Sequence, residues 1–386
     1  MGQGLSMAGD IVCLAALPLA VIHAGLTADI FGLLMAAVGI GTMLGAVAGG
    51  LLADRHSPKH VLIASDLLRG AVQVVVALLL VCGAPSWCLA SAYLLFGIGI
   101  GVSRPCTQVL LVDLLPEQAL AAGNGAMNFV DNLVAVILPA TLGVLIIAWN
   151  PTLGVLIDGV TFFAAALFTA QLPNNGELPR NRRLSMHDAF DGLMAIVRTR
   201  TLRVGLFATL VVNVLCFPVF FVVAPYAVTA RFGDAMWGIC LAASGLGACV
   251  GSVVVVLAQA HRRLAALAIA CGLLLCAGLT LLGMGEFGWM AVLGAAFVGI
   301  VEASWLTGWA TAMQTHSPHK DLGKVVAVDT LVTNGLHPFV YAGGSAMAAT
   351  MGYSPTLTVA AAVSAVGTLA VGMTAVPRGA RSMPLE

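Results

Sequence analysis

The sequence predicts an all-α membrane protein of twelve transmembrane helices arranged in two six-helix bundles. Hydrophobic residues make up 60% of its 386 residues and charged residues only 9%, whereas soluble domains have about 25% charged residues. Apolar stretches of about 20 residues, the length that spans a bilayer, recur along the whole chain. Basic residues gather at alternate ends of these stretches, as they do in multi-pass membrane proteins.

Glycines, prolines and charged clusters divide the chain into twelve apolar stretches. We predict membrane spans near residues 6–24, 30–53, 60–82, 86–104, 121–147, 152–171, 203–229, 235–257, 264–284, 288–311, 322–347 and 355–376. The first stretch lacks the charged, apolar and small-residue order of a cleavable signal, so we expect it to be retained as span 1.

The distribution of basic residues predicts the orientation. With both termini in the cytoplasm, the cytoplasmic loops contain fourteen of the seventeen Lys and Arg residues, and the outer loops contain only Arg231. Lys and Arg resist translocation. The sequence therefore predicts an even number of spans, cytoplasmic termini and a location in the cell (inner) membrane.

A polar stretch at 173–202 predicts a cytoplasmic linker, with an amphipathic helix from Leu184 to Val197. It separates an N-terminal bundle at 1–172 from a C-terminal bundle at 203–386. Residues 31–41 align without gaps with 237–247, and Gly45 then aligns with Gly251, which gives six identities. A parallel six-helix repeat of this kind is typical of transporters whose bundles rock around a central site.

Five acidic residues lie within apolar spans, where a charge costs about 2.5–3.5 kcal/mol and rarely persists without a partner or a wet cavity. They are Asp10, Asp131, Asp158, Glu302 and Asp329. Asp131 lies close to the midplane between Asn128 and Asn132, a polar setting that suits a proton carrier. Two interpretations stay open for each acid: proton coupling or substrate binding, and structural hydrogen bonding between helices.

Span 10 contains Glu302, Trp305 and Trp309 at helical spacing. This spacing favours a wall that binds an amphipathic or cationic aromatic solute through stacking and cation–π attraction. The alternative is that the Trp side chains anchor the helix end at the membrane interface. Further polar groups that can reach a central cavity are Asn213, Asn334 and His337.

The motifs do not favour an enzyme. His316 and His319 have ligand spacing but flank Ser317-Pro318 without a nearby acid or cysteine set, so we predict no metal site. The glycines at 97–101 lie within span 4 and lack the ending of a phosphate-binding loop. We therefore expect no cofactor and no ATP hydrolysis, and the nine single cysteines are interpreted as packing residues. We expect the protein to be a monomer whose partners are a small solute, protons and the lipid bilayer. We do not expect it to bind nucleic acid.

The loop between spans 2 and 3 carries Gly-x-Leu-Ala-Asp-Arg at 50–55 followed by Lys59, which resembles the signature of the major facilitator superfamily at this place. More narrowly, the chain resembles the branch of macrolide-efflux pumps and enterobactin-type exporters, which are drug:proton antiporters. The other matching places are Ser6 to Asp10, Asp66-Leu67-Leu68-Arg69, Arg104-Pro105, Asp158 with Phe162 and Phe163, and Gly323-Lys324-Val325. Span 5 departs from the exporter pattern, because Leu stands at 138 and 142 where exporters often carry Gly.

The resemblance implies proton-coupled efflux of a small, drug-like amphipathic compound by alternating access, as in multidrug resistance. Its gating motif corresponds to Gly50, Asp54, Arg55, Asp66, Arg69 and Arg104. The Asp54 carboxylate can pair with Arg104 or face the positive N-terminal end of span 11, either of which closes the inner gate. Asp66 and Arg69 are also spaced to pair locally. Two alternatives stay open: export of a siderophore or other metabolite, and a lipid-translocating or scrambling protein.

Overall fold

The structure is a computed structural model that describes residues 2–114, 150–172, 193–317 and 322–375, within which every regular element is helical. The main helices are α1 Gly2–His23, α2 Ala28–Arg55, α3 Pro58–Val81, α4 Ser86–Leu114, α5 Pro151–Ala170, α6 Arg200–Phe232, α7 Asp234–Leu257, α8 Leu264–Met284, α9 Gly288–His316, α10 Leu322–Met351 and α11 Tyr353–Ala375. A short helix at 193–198 and a 3-10 turn at Ala260–Arg263 lie in connections.

The described helices match the predicted spans. Helices α1–α4 correspond to spans 1–4, α5 to span 6, and α6–α11 to spans 7–12. All of them except α1 and α10 are long and apolar enough to cross a membrane by length and composition. The all-α membrane fold is therefore confirmed, while the predicted span 121–147, and with it the count of twelve, lies outside the described residues.

Helix α4 corrects one predicted boundary. Arg104 and Pro105 predicted an end at 104, but the helix continues to Leu114. Proline is tolerated inside membrane helices because neighbouring helices and local adjustments satisfy the freed backbone groups. Helix α9 likewise extends to His316 rather than ending at 311.

Tight turns join the helices at the end that the basic residues predict to be outside, which we call the outer end. Gly25, Gly83, Gly233 and Gly352 adopt φ angles of 73°, 62°, 82° and 90° in these turns. Glycine has no Cβ, so this left-handed region carries no steric penalty for it. The pair Gly25 and Gly233 ends the first helix of each half in the same way.

The two halves repeat one close helix contact. Helix α2 packs on α4, and α7 packs on α9. A Cβ on Gly45 would collide with the carbonyl oxygen of Ile98, and a Cβ on Gly251 would collide with that of Ile300. Small residues allow such backbone-to-backbone approach between membrane helices. The two glycines that the sequence alignment pairs therefore have the same packing role, while the predicted bundle boundaries stay predictions.

Contacts between the halves extend from the outer end to mid-membrane. Helix α2 packs on α10, where Gly32 lies against Ser345 and Gly39 against Pro338. At the outer end, His23 and Asp234 form an ion pair with Nε2 and Oδ2 2.6 Å apart. We call this pair the outer strut.

Helix α6 contains one wide helical turn. Residues Leu210–Cys216 are π-helical, and Pro218 follows in the next turn. Single π turns are rare in proteins, and those that occur are often found at functional sites. Of the predicted linker 173–202, only residues from 193 onward are described, and the predicted amphipathic segment is helical where it is described.

Candidate functional site

Asp158 lies at the centre of a buried polar cluster in the N-terminal half. Its side chain on α5 is 0% exposed, and Oδ2 accepts a hydrogen bond from Nε2 of Gln73 on α3. The same Nε2 lies 3.4 Å from Sγ of Cys13 on α1. Asp158 Oδ1, Gln73 Oε1 and the hydroxyl of Tyr93 have no hydrogen-bond partner among the described residues. We call these four residues the Asp158 cluster.

Small residues bring three of the four helices of this cluster together. The backbones of Gly70 on α3 and Gly159 on α5 approach each other, since a Cβ on Gly70 would lie 2.9 Å from the Gly159 carbonyl oxygen. A Cβ on Gly9 of α1 would lie 2.5 Å from Oδ1 of Asp158. Larger residues at these positions would separate the helices that hold the carboxylate.

A second acid and an ion pair adjoin the Asp158 cluster. Asp10 is half-buried and close enough to Asp158 for their charges to interact. Arg69 donates to Asp66, as their spacing predicts, and both side chains are buried. The Arg69 guanidinium lies over the ring of Phe162, 4.2 Å from the centroid. Arg69, whose charge interacts with Asp158, is therefore already paired.

The C-terminal half has a different arrangement around Glu302. Its side chain on α9 is exposed and close enough to Tyr341 on α10 for an electrostatic interaction. The rings of Tyr341 and His337 lie 5.7 Å apart. His337 Nε2 lies 3.4 Å from the backbone oxygen of Asn213 in the π turn. We call Glu302, Tyr341, His337 and Asn213 the C-half cluster.

The two tryptophans are packed rather than open to a cavity in this structure. Trp305 and Trp309 are 1% and 3% exposed, and their rings stack at 6.3 Å. Trp305 Nε1 donates to Oγ1 of Thr209 at 3.1 Å, and Trp309 Nε1 donates to Oδ1 of Asp329 at 2.9 Å. A pair that is stacked, buried and hydrogen-bonded stabilises the contacts of α9 with α6 and α10, so it does not line a cavity here.

Several predicted site residues cannot be placed. Asp131, Asn128 and Asn132 lie outside the described residues. The same is true of the surroundings of Gly50 and of the side chains of Asp54, Arg55 and Arg104 in the gating motif, although the backbones of these residues belong to α2 and α4. Asn334 is described and half-buried on α10. His316 contacts Thr315 and the Ala312 carbonyl at the end of α9, and His319 is outside the described residues.

Sequence reasoning missed the partners of these acids. Gln73 was the strongest available signal, because it is a single amide within the apolar run of α3. Cys13 and Tyr93 gave no signal beyond that of ordinary packing residues. His23 and Asp234 are 211 positions apart, so only the assembled fold brings them together.

Known proteins share this fold and part of this sequence. A model of the Major Facilitator Superfamily matches residues 1–341. Macrolide efflux protein A of Enterococcus faecalis is 25% identical over 171 residues, which cover 43% of this chain and 51% of that protein. The protein of the same name from Streptococcus pyogenes is 25% identical over 171 residues, or 43% of this chain and 41% of that protein. The match thus spans about half of these relatives or less.

Solved transporters resemble the whole structure. The nucleoside transporter NupG has a TM-score of 0.76 at 11% identity, covering 97% of this chain and 98% of its own. A POT family transporter in complex with a thioalcohol conjugated peptide has a TM-score of 0.73 at 15% identity, covering 96% and 94%. A bacterial homologue of the human lysosomal transporter Spinster, inward-facing and occupied, has a TM-score of 0.70 at 13% identity, covering 97% and 96%. At these identities the likeness concerns the fold alone.

Proposed function

The chain belongs to the Major Facilitator Superfamily, and from this premise we propose that it exports a small amphipathic solute from the cytoplasm in exchange for protons. It is a multi-pass membrane transporter rather than an enzyme. The direction, the driving ion, the solute, the inner-membrane location and the cytoplasmic termini are parts of the proposal.

The Asp158 cluster is the observation that carries proton exchange. The Asp158 carboxyl group is 0% exposed, and one of its oxygens accepts from Gln73 while the other has no described partner. Gain or loss of a proton by such a buried group changes the energy of the packing around it. A charge in the bilayer interior costs about 2.5–3.5 kcal/mol on insertion scales. Asp10 lies near enough to add charge repulsion. The protonation state of Asp158 can thus bias how α1, α3 and α5 pack.

Alternating access is supported by the contacts between the halves. The outer strut, the Gly32–Ser345 contact and the Gly39–Pro338 contact all lie between the outer end and mid-membrane. Release of a solute to the outside requires these contacts to separate. Rigid-body rocking of two repeats around a fixed site is the usual way in which such folds do this.

The efflux direction is supported by sequence likeness to the macrolide efflux proteins. That likeness covers less than half of this chain, so the solute class needs a direct test. We propose inside-out vesicles with an acid lumen, loaded from outside with a radiolabelled macrolide or with members of a drug and siderophore panel. Accumulation in the lumen that an ionophore abolishes supports proton exchange.

The variant Asp158→Asn separates this mechanism from others. We expect it to insert normally and to lose accumulation driven by the pH gradient, since the amide carries no titratable proton. Asp131→Asn is the comparison, because Asp131 is the alternative proton carrier that the sequence predicts. Accumulation that survives in the Asp158 variant and fails only in the Asp131 variant would transfer the role to Asp131. Accumulation that needs a sodium gradient would contradict proton exchange altogether.

A further inference from the structure

The face of α9 that carries Glu302 is open at two positions. Trp289 and Leu293 are 60% and 38% exposed on one side of the helix. Helical spacing places Glu302 on the opposite side, together with the buried Val298 and Trp305. On this side Glu302 is exposed, and so is Leu306 one turn further along. Tyr341 on α10 lies close enough to Glu302 for an electrostatic interaction, so the carboxylate faces an accessible space beside α10.

Three helices contribute polar groups to that space. Tyr341 and His337 lie one turn apart on α10, and Asn213 lies in the π turn of α6. A π turn widens the helix and changes the direction of its backbone carbonyls. The C-half cluster thus places a carboxylate near a phenol ring, with an imidazole beside that ring, and a carboxylate next to an aromatic ring is a surface that recognises a positively charged group.

No described Lys or Arg pairs with the carboxylate of Glu302. Within the part of the chain that the structure describes, Glu302 takes part in no ion pair. Arg69 is engaged with Asp66 in the other half. At the outer end, Arg231 donates to the carbonyl oxygens of residues 282, 283 and 285. An exposed carboxylate in a low-dielectric surrounding attracts a mobile cation far more strongly than it would in water.

On the premise of the proposed export function, we propose that the C-half cluster is the subsite for the cationic group of the solute, and that Glu302 determines selection for positive charge. The Asp158 cluster then handles the proton in one half while Glu302 binds the solute in the other. Asp329, the other acid that lies within a described span of the C-terminal half, is already bonded to Trp309 and has no such role.

A binding experiment without any ion gradient tests this subsite. The probes are radiolabelled tetraphenylphosphonium, a cation, and triphenylphosphine oxide, a neutral molecule of similar aromatic character, with purified protein in nanodiscs. We expect Glu302→Gln to weaken phosphonium binding about tenfold or more, as the loss of a nearby charge interaction implies. Binding of the neutral probe should stay unchanged. Glu302→Asp should retain the preference for the cation, and Asp329→Asn should leave both affinities as in the wild type.

The outcomes separate this inference from the proposed function. The inference is overturned if the wild type does not bind tetraphenylphosphonium, if Glu302→Gln weakens both probes equally, or if Asp329→Asn reduces cation binding as much. Retained binding of the neutral probe shows that the variant is folded. If proton-driven export is absent but the cation preference depends on Glu302, the proposed function fails and the subsite stands. If export is proton-driven and the preference ignores Glu302, only the subsite fails.

Discussion

The outer strut provides a test of the gate that follows directly from geometry. His23 ends α1 in one half and Asp234 begins α7 in the other, with Nε2 and Oδ2 2.6 Å apart and the side chains 47% and 38% exposed. Partly exposed ion pairs contribute about 0.2–1 kcal/mol. Removing the pair should therefore raise the equilibrium constant for outer-side opening by about 1.4- to fivefold, since 1.4 kcal/mol corresponds to a factor of about ten.

The size of the effect is limited because other contacts remain at the same end. The Tyr226 ring lies 6.2 Å from that of Phe31, and its hydroxyl lies 3.4 Å from the Thr27 carbonyl. His23→Gln or Asp234→Asn should therefore loosen the outer side without unfolding it. Hydrogen exchange at the outer ends of α2 and α10 measures this opening, because exchange of structured amides follows the opening equilibrium.

The comparison needs one fixed pH and a matched control variant. Asp29→Asn is the matched control, since Asp29 is an exposed acid at the same end outside the His23 pair. Unchanged exchange in both strut variants, or an equal rise of exchange in Asp29→Asn, would refute the reasoning.

Two further predictions concern packing and the inner gate. Gly247→Ala should reduce stability and transport, because the added Cβ collides with the Ala296 carbonyl. Gly343→Ala should be tolerated, since no atom lies within 4 Å of its Cβ position. Thermal unfolding in detergent compares the stability of the two variants. Asp54→Asn should insert normally but transport severalfold more slowly, because the family resemblance implies that Asp54 makes a gate contact rather than a core one. Unchanged vesicle transport at equal expression would contradict this.

The helices could be predicted from the sequence because their cause is local. An apolar run of about 20 residues must form a helix in lipid to satisfy its own backbone, and α8 accordingly has the predicted bounds of 264 and 284. The end of α4 was missed because Pro105 breaks helices in water, whereas the bilayer favours continuation. The π turn at Leu210–Cys216 was also missed, since it depends on packing against other helices and not on local composition.

The acids could be predicted as unusual, but their surroundings could not. A charged residue within an apolar run can be recognised in the sequence. Whether its side chain is buried or exposed depends on the neighbouring helices. The Asp158 side chain is buried and bonded to Gln73, whereas the Glu302 side chain is exposed. In the sequence both are single acids within apolar runs. Trp305 and Trp309 show the same limit, because the spacing that predicts a binding wall is also the spacing of a buried stack.

The two halves share a helix packing contact, but the polar groups around their acids differ. Tyr341 connects the acid of the C-terminal half with the contact between the halves. Gly45 and Gly251 repeat one backbone contact, whereas the Asp158 cluster and the C-half cluster have only a tyrosine in common around their acids. Tyr341 interacts with Glu302, and its backbone oxygen lies 2.7 Å from a Cβ built on Gly32 across the contact between the halves. On the proposed subsite, a cation bound at Glu302 would therefore act on the residue that also touches α2. We expect solute binding to bias outer-side opening through this contact.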